Sequence, residues 1–297
     1  MYNGIKQGVG MMDVKFHCDE RIDFQDGFSV RAFSYTNYSI EMHNHDFYEV
    51  NIVLSGTGTH CIENGRVNVG RGDVFVIPPM VAHAYENTSG LEVYHILLQK
   101  CFVDNNRVEA ESVNGFLQLT EIEPFIRSNF SNAFYLRLNH SQLQSLANDI
   151  EFLDDNGAFP WETYSSLKYH TAWKIVYWLS SLLYEQLKAE VAVKVKKYDV
   201  QIFRALEYIH KNYGEKITLD SLCKITFLSR STFIRNFKEA CGISPIEYLN
   251  KYRCKKAREL LEAKEYTKTE VANMCGFYDL SHMERGLRLF ECHLQTK

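Results

Sequence analysis

Between residues 28 and 100, apolar and polar positions alternate in short β-branched and aromatic runs divided by turn residues: VRAFSY, YEVNIVLSG, GTHCIENG, RVNVGRGDVFVIPP, AHAYENTSG and LEVYHILLQ. A period of two over many short runs predicts an all-β sandwich or barrel. Gly56, Gly58, Gly65, Gly70 and Gly72 fall where hairpins must reverse, and Glu63-Asn64-Gly65 contains the Asn-Gly pair that favours a tight turn. After about residue 104 the period lengthens towards 3.6. Leu138, Leu143, Leu146, Ile150 and Leu153 line one helical face. Leu167, Thr171, Ile175, Trp178, Leu179, Leu182 and Leu183 line a longer one, from Trp161 to about Leu187. Such stripes build a core, and a helix pair appended to a barrel also suits a dimer interface. Residues 189–199 (AEVAVKVKKYD) carry no stripe and predict a linker.

From Gln201 the chain is helical in short pieces with visible starts and stops. Ile202, Leu206 and Ile209 pack one helix that ends before Asn212-Tyr213-Gly214. Thr218 caps a short helix, Leu219–Ile225, with Leu219, Leu222 and Cys223 inward. A turn at residues 226–228 then leads to Ser229, the cap of a helix over Arg230–Ala240. Short helix, tight turn and longer helix make a helix-turn-helix. Phe233 and Phe237, four apart, must face a core, which turns Arg230, Ser231, Thr232, Ile234, Arg235 and Lys238 towards the opposite surface. A polar face at a helix N-terminus suits base edges and phosphates in a major groove. Ser244-Pro245-Ile246-Glu247 supplies an N-cap, an N1 proline and an N3 glutamate for a long helix packed by Leu249, Tyr252, Ala257, Leu260 and Leu261. Thr269–Ala272 opens another short helix and Cys275-Gly276-Phe277 turns. Asp279 or Ser281 begins a last helix, with Met283 and Leu287 inward and His282, Glu284, Arg285 and Arg288 outward. Two reading helices joined by one rod would reach successive major grooves about 34 Å apart.

Composition narrows the class without naming it. At 297 residues with 45% apolar and 24% charged content, the chain fits two ordinary globular domains. No stretch approaches the roughly 18–20 apolar residues of a membrane span, and the first thirty residues are too acidic and glycine-rich for a signal peptide, so a cytoplasmic location is expected. Eight cysteines lie scattered without a C-x-x-C pair and imply free thiols. The net charge of −4 is uneven. Residues 198–297 hold 17 Lys+Arg against 13 Asp+Glu, whereas residues 1–197 hold 16 against 24.

The run ITLDSLC…SRSTFIRNFK…GISPIEYL…RCKKARELL…VANMCGFYDLSH resembles the DNA-binding domain of the AraC/XylS family of bacterial transcription regulators over roughly residues 200–290. The resemblance implies that Arg230, Ser231, Thr232, Ile234 and Arg235 face bases in the first reading helix, and Tyr278, Leu280, Ser281, His282 and Arg285 in the second. Arg253 sits where the family carries a structural arginine. The chain departs at Met283, where the family usually has an aromatic residue, at Lys268, where it has an aliphatic one, and at Gly286, where it has a bulky apolar one. After Phe290 it reads ECHLQTK in place of the usual glycine and Ser/Thr-Pro. Glycine inside a helix costs about 1 kcal/mol relative to alanine, which predicts a frayed second reading helix and leaves the first to supply most of the specificity.

Within the β region, His43-x-His45-x3-Glu49-x6-Gly56 precedes Gly72-x5-Pro78-x4-His83-x3-Asn87. Alternate residues on a strand point the same way, so His43 and His45 share a side, and Glu49 joins them if the strand is unbroken. Three imidazoles and a carboxylate offer a facial ligand set for Fe, Mn, Ni or Zn, or a set of satisfied structural residues. The spacing resembles both motifs of the cupin barrel, with Met80 in place of a usual glycine. Regulators of the AraC type commonly carry such a barrel as an effector pocket, which implies a sugar or other polar ligand on His43, His45, Glu49 and His83, with Phe47 or Tyr48 as an aromatic wall. His60, His95 and His170 have no partners at readable spacing.

The expected fold is therefore α+β and multidomain: a cupin-like sensing barrel over residues 1–104, a helical dimerisation segment over 105–188, a linker over 189–199 and an all-α DNA-binding domain with two helix-turn-helix units over 200–297. The expected function is ligand-responsive transcription regulation, most simply activation, without catalytic residues, cofactor or metal. Expected partners are a double-stranded DNA operator, a small effector such as a carbohydrate, a second copy of the chain and RNA polymerase. The alternatives are a metal-dependent cupin enzyme with a helical tail, and an effector-independent regulator whose barrel is a dimerisation scaffold.

Overall fold

Among the described residues seven strands, all paired antiparallel, occupy the first part of the molecule: β1 (Val30–Thr36), β2 (Ile40–His43), β3 (Tyr48–Ile62), β4 (Gly65–Gly70), β5 (Asp73–Ile77), β6 (His83–Leu98) and β7 (Leu136–Arg137). The computed structural model describes residues 29–63, 65–129, 135–192 and 199–295, with side chains described outside 189–192, 199–200 and 290–295. The long strands β3 and β6 pair along their lengths and each serves two further partners. β3 carries β5 on its first half and β4 on its second, while β6 carries β2 on its first half and β1 on its last. The order is β1-β6-β3-β5-β7, and the ladder does not close, so the barrel expected from the strand rhythm is an open sheet. The edge at β1 is blunted another way: Asp155 accepts from the Ala32 amide at 3.2 Å and donates its own amide to the Ala32 carbonyl at 2.7 Å, while its carboxylate pairs with Arg31 at 2.7 Å.

Period two sorts the sheet into two faces. Val50, Ile52, Val74, Val76, Tyr94 and Ile96 face a core completed by two helices, α4 (His140–Leu153) and α5 (Trp161–Ala192). Asn139 starts α4 with a reciprocal capping box to Gln142. In α5 the buried stripe is Ala172, Ile175, Val176, Leu179 and Leu183, whereas Leu167, expected inside, is 57% exposed. The helix runs on to Ala192, four residues into the expected linker; residues 193–198 lie outside the described residues. The opposite sheet face carries Phe75, Ile77, Tyr85 and Val93 among polar side chains.

Between sheet and α4 the chain forms elements that the sequence pattern did not announce: α1 (Lys100–Asn105), α2 (Arg107–Ala110), a π-helical turn (Gln118–Ile122) and α3 (Glu123–Asn129). The last part is all helix: α6 (Asp199–Asn212), α7 (Leu219–Thr226), α8 (Arg230–Cys241), α9 (Pro245–Ala263), α10 (Lys268–Met274) and α11 (Leu280–Gln295). Leu117, Ile122, Phe125 and Ile126 share one buried cluster with Leu206, Phe233, Phe237, Tyr248 and Tyr252. The sheet domain and the first helix-turn-helix therefore have a core in common. Among the described residues no helix is long and apolar enough to cross a membrane.

Candidate effector and nucleic-acid sites

The two helix-turn-helix units are set by their caps. Thr218 and Ser221 form a capping box at α7, Ser229 accepts from the Thr232 amide to start α8, and Ser244 accepts from the Glu247 amide to start α9. Thr267, with Glu270 as its box partner, starts α10, two residues earlier than expected; Lys268 therefore sits at the first helical position, exposed, where it reaches Glu284 at 3.4 Å. Asp279 accepts from the His282 amide at 2.6 Å at the head of α11. Arg230, Ser231, Arg235 and Lys238 are exposed on α8, with Thr232 and Ile234 half-buried. In the second unit Tyr278, Ser281 and Arg285 are exposed. Leu280 packs partly into the unit's core, and the His282 ring stands edge-on to Phe277.

In the second reading helix, α11 runs unbroken through Gly286 over Leu280–Gln295, with Met283 fully buried. Gly286 lies where α11 crosses α9: a Cβ there would stand 3.0 Å from Cys254 Sγ and 3.5 Å from Phe277 Cε1. Arg253 donates to the carbonyls of Tyr213 and Glu215, both at 2.7 Å, tying α9 to the turn after α6.

On the inner face of the sheet a buried carboxylate gathers histidines. The strand carrying His43 does not continue to Glu49: β2 ends at His43, and the loop 44–47 presents His45 before β3 begins. The grouping survives the break. Glu49 Oε2 lies 3.0 Å from both His45 Nε2 and His83 Nε2, and Glu49 Oε1 lies 2.6 Å from His95 Nδ1. The His43 ring packs on His83 with centroids 4.2 Å apart and planes tilted by 50°, and Phe47 stacks on His45 at 4.0 Å. Tyr48 points to the other core, beneath the helices. Burial alone would raise the Glu49 pKa, but hydrogen bonds from His45, His83 and His95 hold it well below the ordinary carboxylate value. Burial, aided by the neighbouring His83, lowers His43 to about 4.

Nδ1 of His43, His45 and His83 lies 2.9, 2.9 and 3.2 Å from the carbonyls of Glu41, Phe47 and Val81. A carbonyl only accepts, so each Nδ1 carries its proton. To meet Glu49 Oε2 favourably, Nε2 of His45 and His83 then needs a second proton or a metal ion in between. His45, Glu49 and His83 bring ligand atoms within 4.8 Å of one another and fit a borderline divalent ion, with the backbone carbonyls fixing the rings.

The third cluster joins the domains. Glu121, in the π-helical turn and buried, accepts from the Tyr252 hydroxyl at 2.5 Å, lies 3.5 Å from Lys256 Nζ on α9 and 3.9 Å from His210 Nδ1 on α6, and pairs with Arg107. Burial opposes its charge, yet Lys256, His210 and Arg107 hold its pKa well below the usual range. Burial lowers His210 to about 4.

Residues 27–152 match the AraC-like ligand binding domain and residues 222–291 match a helix-turn-helix domain. The chain belongs to the AraC family of transcription regulators. Among its relatives, the HTH-type transcriptional activator RhaS of Klebsiella pneumoniae is 28% identical over 246 residues, covering 83% of this chain and 82% of that protein. RhaS of Escherichia coli K12 is 25% identical over 248 residues with the same coverage. Among solved structures, ToxT of Vibrio cholerae bound to a naphthalenyl-butenoic acid is 11% identical with a TM-score of 0.33, covering 88% of this chain and 94% of that one. The DNA-binding domain of AdpA in complex with a target DNA is 24% identical with a TM-score of 0.29, covering 32% and 90%. The relatives of this AraC-family chain are regulators, not enzymes.

Sequence reasoning missed four groups of this AraC-family protein. His95 belongs to the Glu49 cluster because β6 pairs with β3 so that Asn51 faces His95 and Glu49 faces Leu97. Nothing in a period-two pattern fixes that register. His60, fully buried, takes its contact from Arg127, at 3.1 Å, itself buried and paired with Glu123. Arg107 and Glu121 lie in short irregular helices without a readable stripe.

Proposed function

We propose that this regulator activates transcription from a double-stranded DNA operator in response to a small polar effector, with a sugar as the best-fitting class, and that it acts in the cytoplasm as a homodimer with RNA polymerase as a further partner. The observation that carries this reading is the core shared by the sheet domain and the first helix-turn-helix, reinforced by the contacts of Glu121 with His210 of α6 and with Tyr252 and Lys256 of α9. A ligand that repacks the sheet domain changes the seat of the rod joining both reading heads, which is the differential contact that ligand-driven population shift requires. Activation follows the RhaS relatives, which are named activators.

Arg230, Ser231, Thr232, Ile234, Arg235 and Lys238 would serve the first half-site, and Tyr278, Leu280, Ser281, His282 and Arg285 the second. Guanidinium groups suit guanine edges or phosphates, and the lysine suits phosphate. His43, His45, Phe47, Tyr48, Glu49 and His83 would form the polar region that senses the effector. Residues 105–188 would dimerise, with exposed Leu167 and half-buried Trp178 and Leu182 on the outer face of α5. A second copy adds avidity to a DNA-binding half with a modest positive charge. Operator fragments selected from random DNA by the full-length protein should bind Arg235→Ala about tenfold or more weakly in a gel-shift titration, with an unchanged melting temperature. Equal affinity would remove α8 from the DNA.

A further inference from the structure

The two helix-turn-helix units build the same turn from different residues. In the second unit Cys275 is fully buried, Gly276 takes a left-handed φ of 71° and Phe277 packs inward, so the turn is pinned on both sides of its glycine. A Cβ at Gly276 would stand 2.7 Å from Arg253 Nη2 and from the carbonyls of Tyr213 and Gly214, which leaves no room for a side chain. In the first unit Thr226 is fully buried and donates to the Leu222 carbonyl at 2.9 Å, and Leu228 packs partly into the core. Between these anchors Phe227 closes α7 with a left-handed φ of 54°, its amide donating to the Cys223 carbonyl. Glycine enters that region freely, whereas an aromatic residue is strained there. Packing does not offset the strain, because Phe227 is 83% exposed. Among the described residues the three most exposed large apolar side chains are Val108, Tyr278 and Phe227, and the last two stand in the turns ahead of the two reading helices.

The surroundings of Phe227 indicate what covers the ring. Lys224 lies three residues before it in α7, and Ser229, Arg230 and Ser231 follow it, all exposed. Asp220 approaches Arg230 at 4.0 Å, with both side chains mostly in water. Cations and hydroxyl groups suit phosphates, but a benzyl ring has no hydrogen-bonding group. Set among them on a duplex, it meets C–H surface, either deoxyribose or a thymine methyl in the major groove. We propose that Phe227 is a further DNA contact of this chain, packing its ring on C–H groups of the half-site read by α8. It stands two residues ahead of Ser229, the cap of that helix, and adds an apolar contact beside a polar reading face. The proposal rests on the operator reading above.

Phe227→Gly removes the ring and suits the left-handed turn, and Phe227→Asn keeps a side chain that tolerates it. On an operator fragment selected by the full-length protein, both variants should bind about fivefold or more weakly than the parent in a gel-shift titration, with melting temperatures no lower than the parent's. The slope of log affinity against log salt should stay the same, because no phosphate contact is lost. Deoxyuridine in place of thymidine in the fragment separates the two sources of C–H surface. Weakening of the parent beyond that of the variants places the ring on a thymine methyl, and an equal response places it on deoxyribose. Variants that bind as the parent binds would overturn the proposal, give the ring to a protein partner and leave the operator reading standing. A lower melting temperature in both variants, or a flattened salt slope, would make the ring a prop of the fold or of α8 docking and would overturn it too. A parent that selects no fragment would overturn the proposal and the operator reading together.

Discussion

A carboxylate taken out of water survives only if its oxygens are occupied, and Glu49 meets that condition with three imidazoles. Burial acts in the opposite sense on two other imidazoles: His43 and His210 are both lowered to about 4 from an ordinary 6.5. The folded chain therefore resists protonation at these sites while the unfolded chain accepts it. Stability should be full above pH 6.5 and fall progressively as the pH drops towards 4, where the folded imidazoles also take up protons. Glu49 and Glu121, held low, add their own loss only below the ordinary carboxylate range. Urea unfolding at pH 7.5, 6.0 and 5.0 should show midpoints descending in that order, and a flat series would contradict the burial of these histidines. His43, His45, Glu49 and His83 were legible in the sequence because their spacing is local and the motif is dense. His95 was not, since its place depends on which residue of β3 lies opposite, a property of two strands together.

Elements with strong end signals were read closely: Ser229 and Ser244 cap α8 and α9 where their hydroxyls predicted, and the buried Phe233 and Phe237 fix the outward face of α8. The stretch from α1 to α3 escaped because its helices are short, one turn is π-helical, and its buried residues include charged ones that mask any stripe. Glycine at 286 is a poor helix former, yet the crossing with α9 leaves little room for a side chain. Gly286→Leu should therefore loosen the second unit by roughly 2 kcal/mol despite improving propensity. Amide exchange confined to α10 and α11 would report it, and a rise in melting temperature would show that the crossing is slack.

At the scale of the whole molecule, Glu121 binds three helices from a position inside the interface. Replacing it by alanine strands Lys256 and Arg107 partly out of water, a change that typically costs about 3–5 kcal/mol when a buried pair loses one member. Glu121→Ala should speed exchange in α9 and change operator affinity several-fold, while Glu121→Lys with Lys256→Glu should recover part of the parent behaviour. Unchanged exchange and affinity would mean that the two domains ignore each other. The strand rhythm and the doubled helix-turn-helix made the broad architecture legible, but neither predicts which surfaces meet, because that contact is built by single residues on separate elements.

Phe125 shows what the common core entails for anyone who divides the protein. Its ring stands edge-on to Tyr248 at 5.1 Å and to Tyr252 at 5.4 Å, so the aromatic floor of the first reader is tiled from both sides of residues 193–198. A cut within those residues would bare greasy, mutually complementary scars on the two fragments. Each piece alone would tend to precipitate, and the pair expressed together would reassemble without the peptide that once joined them.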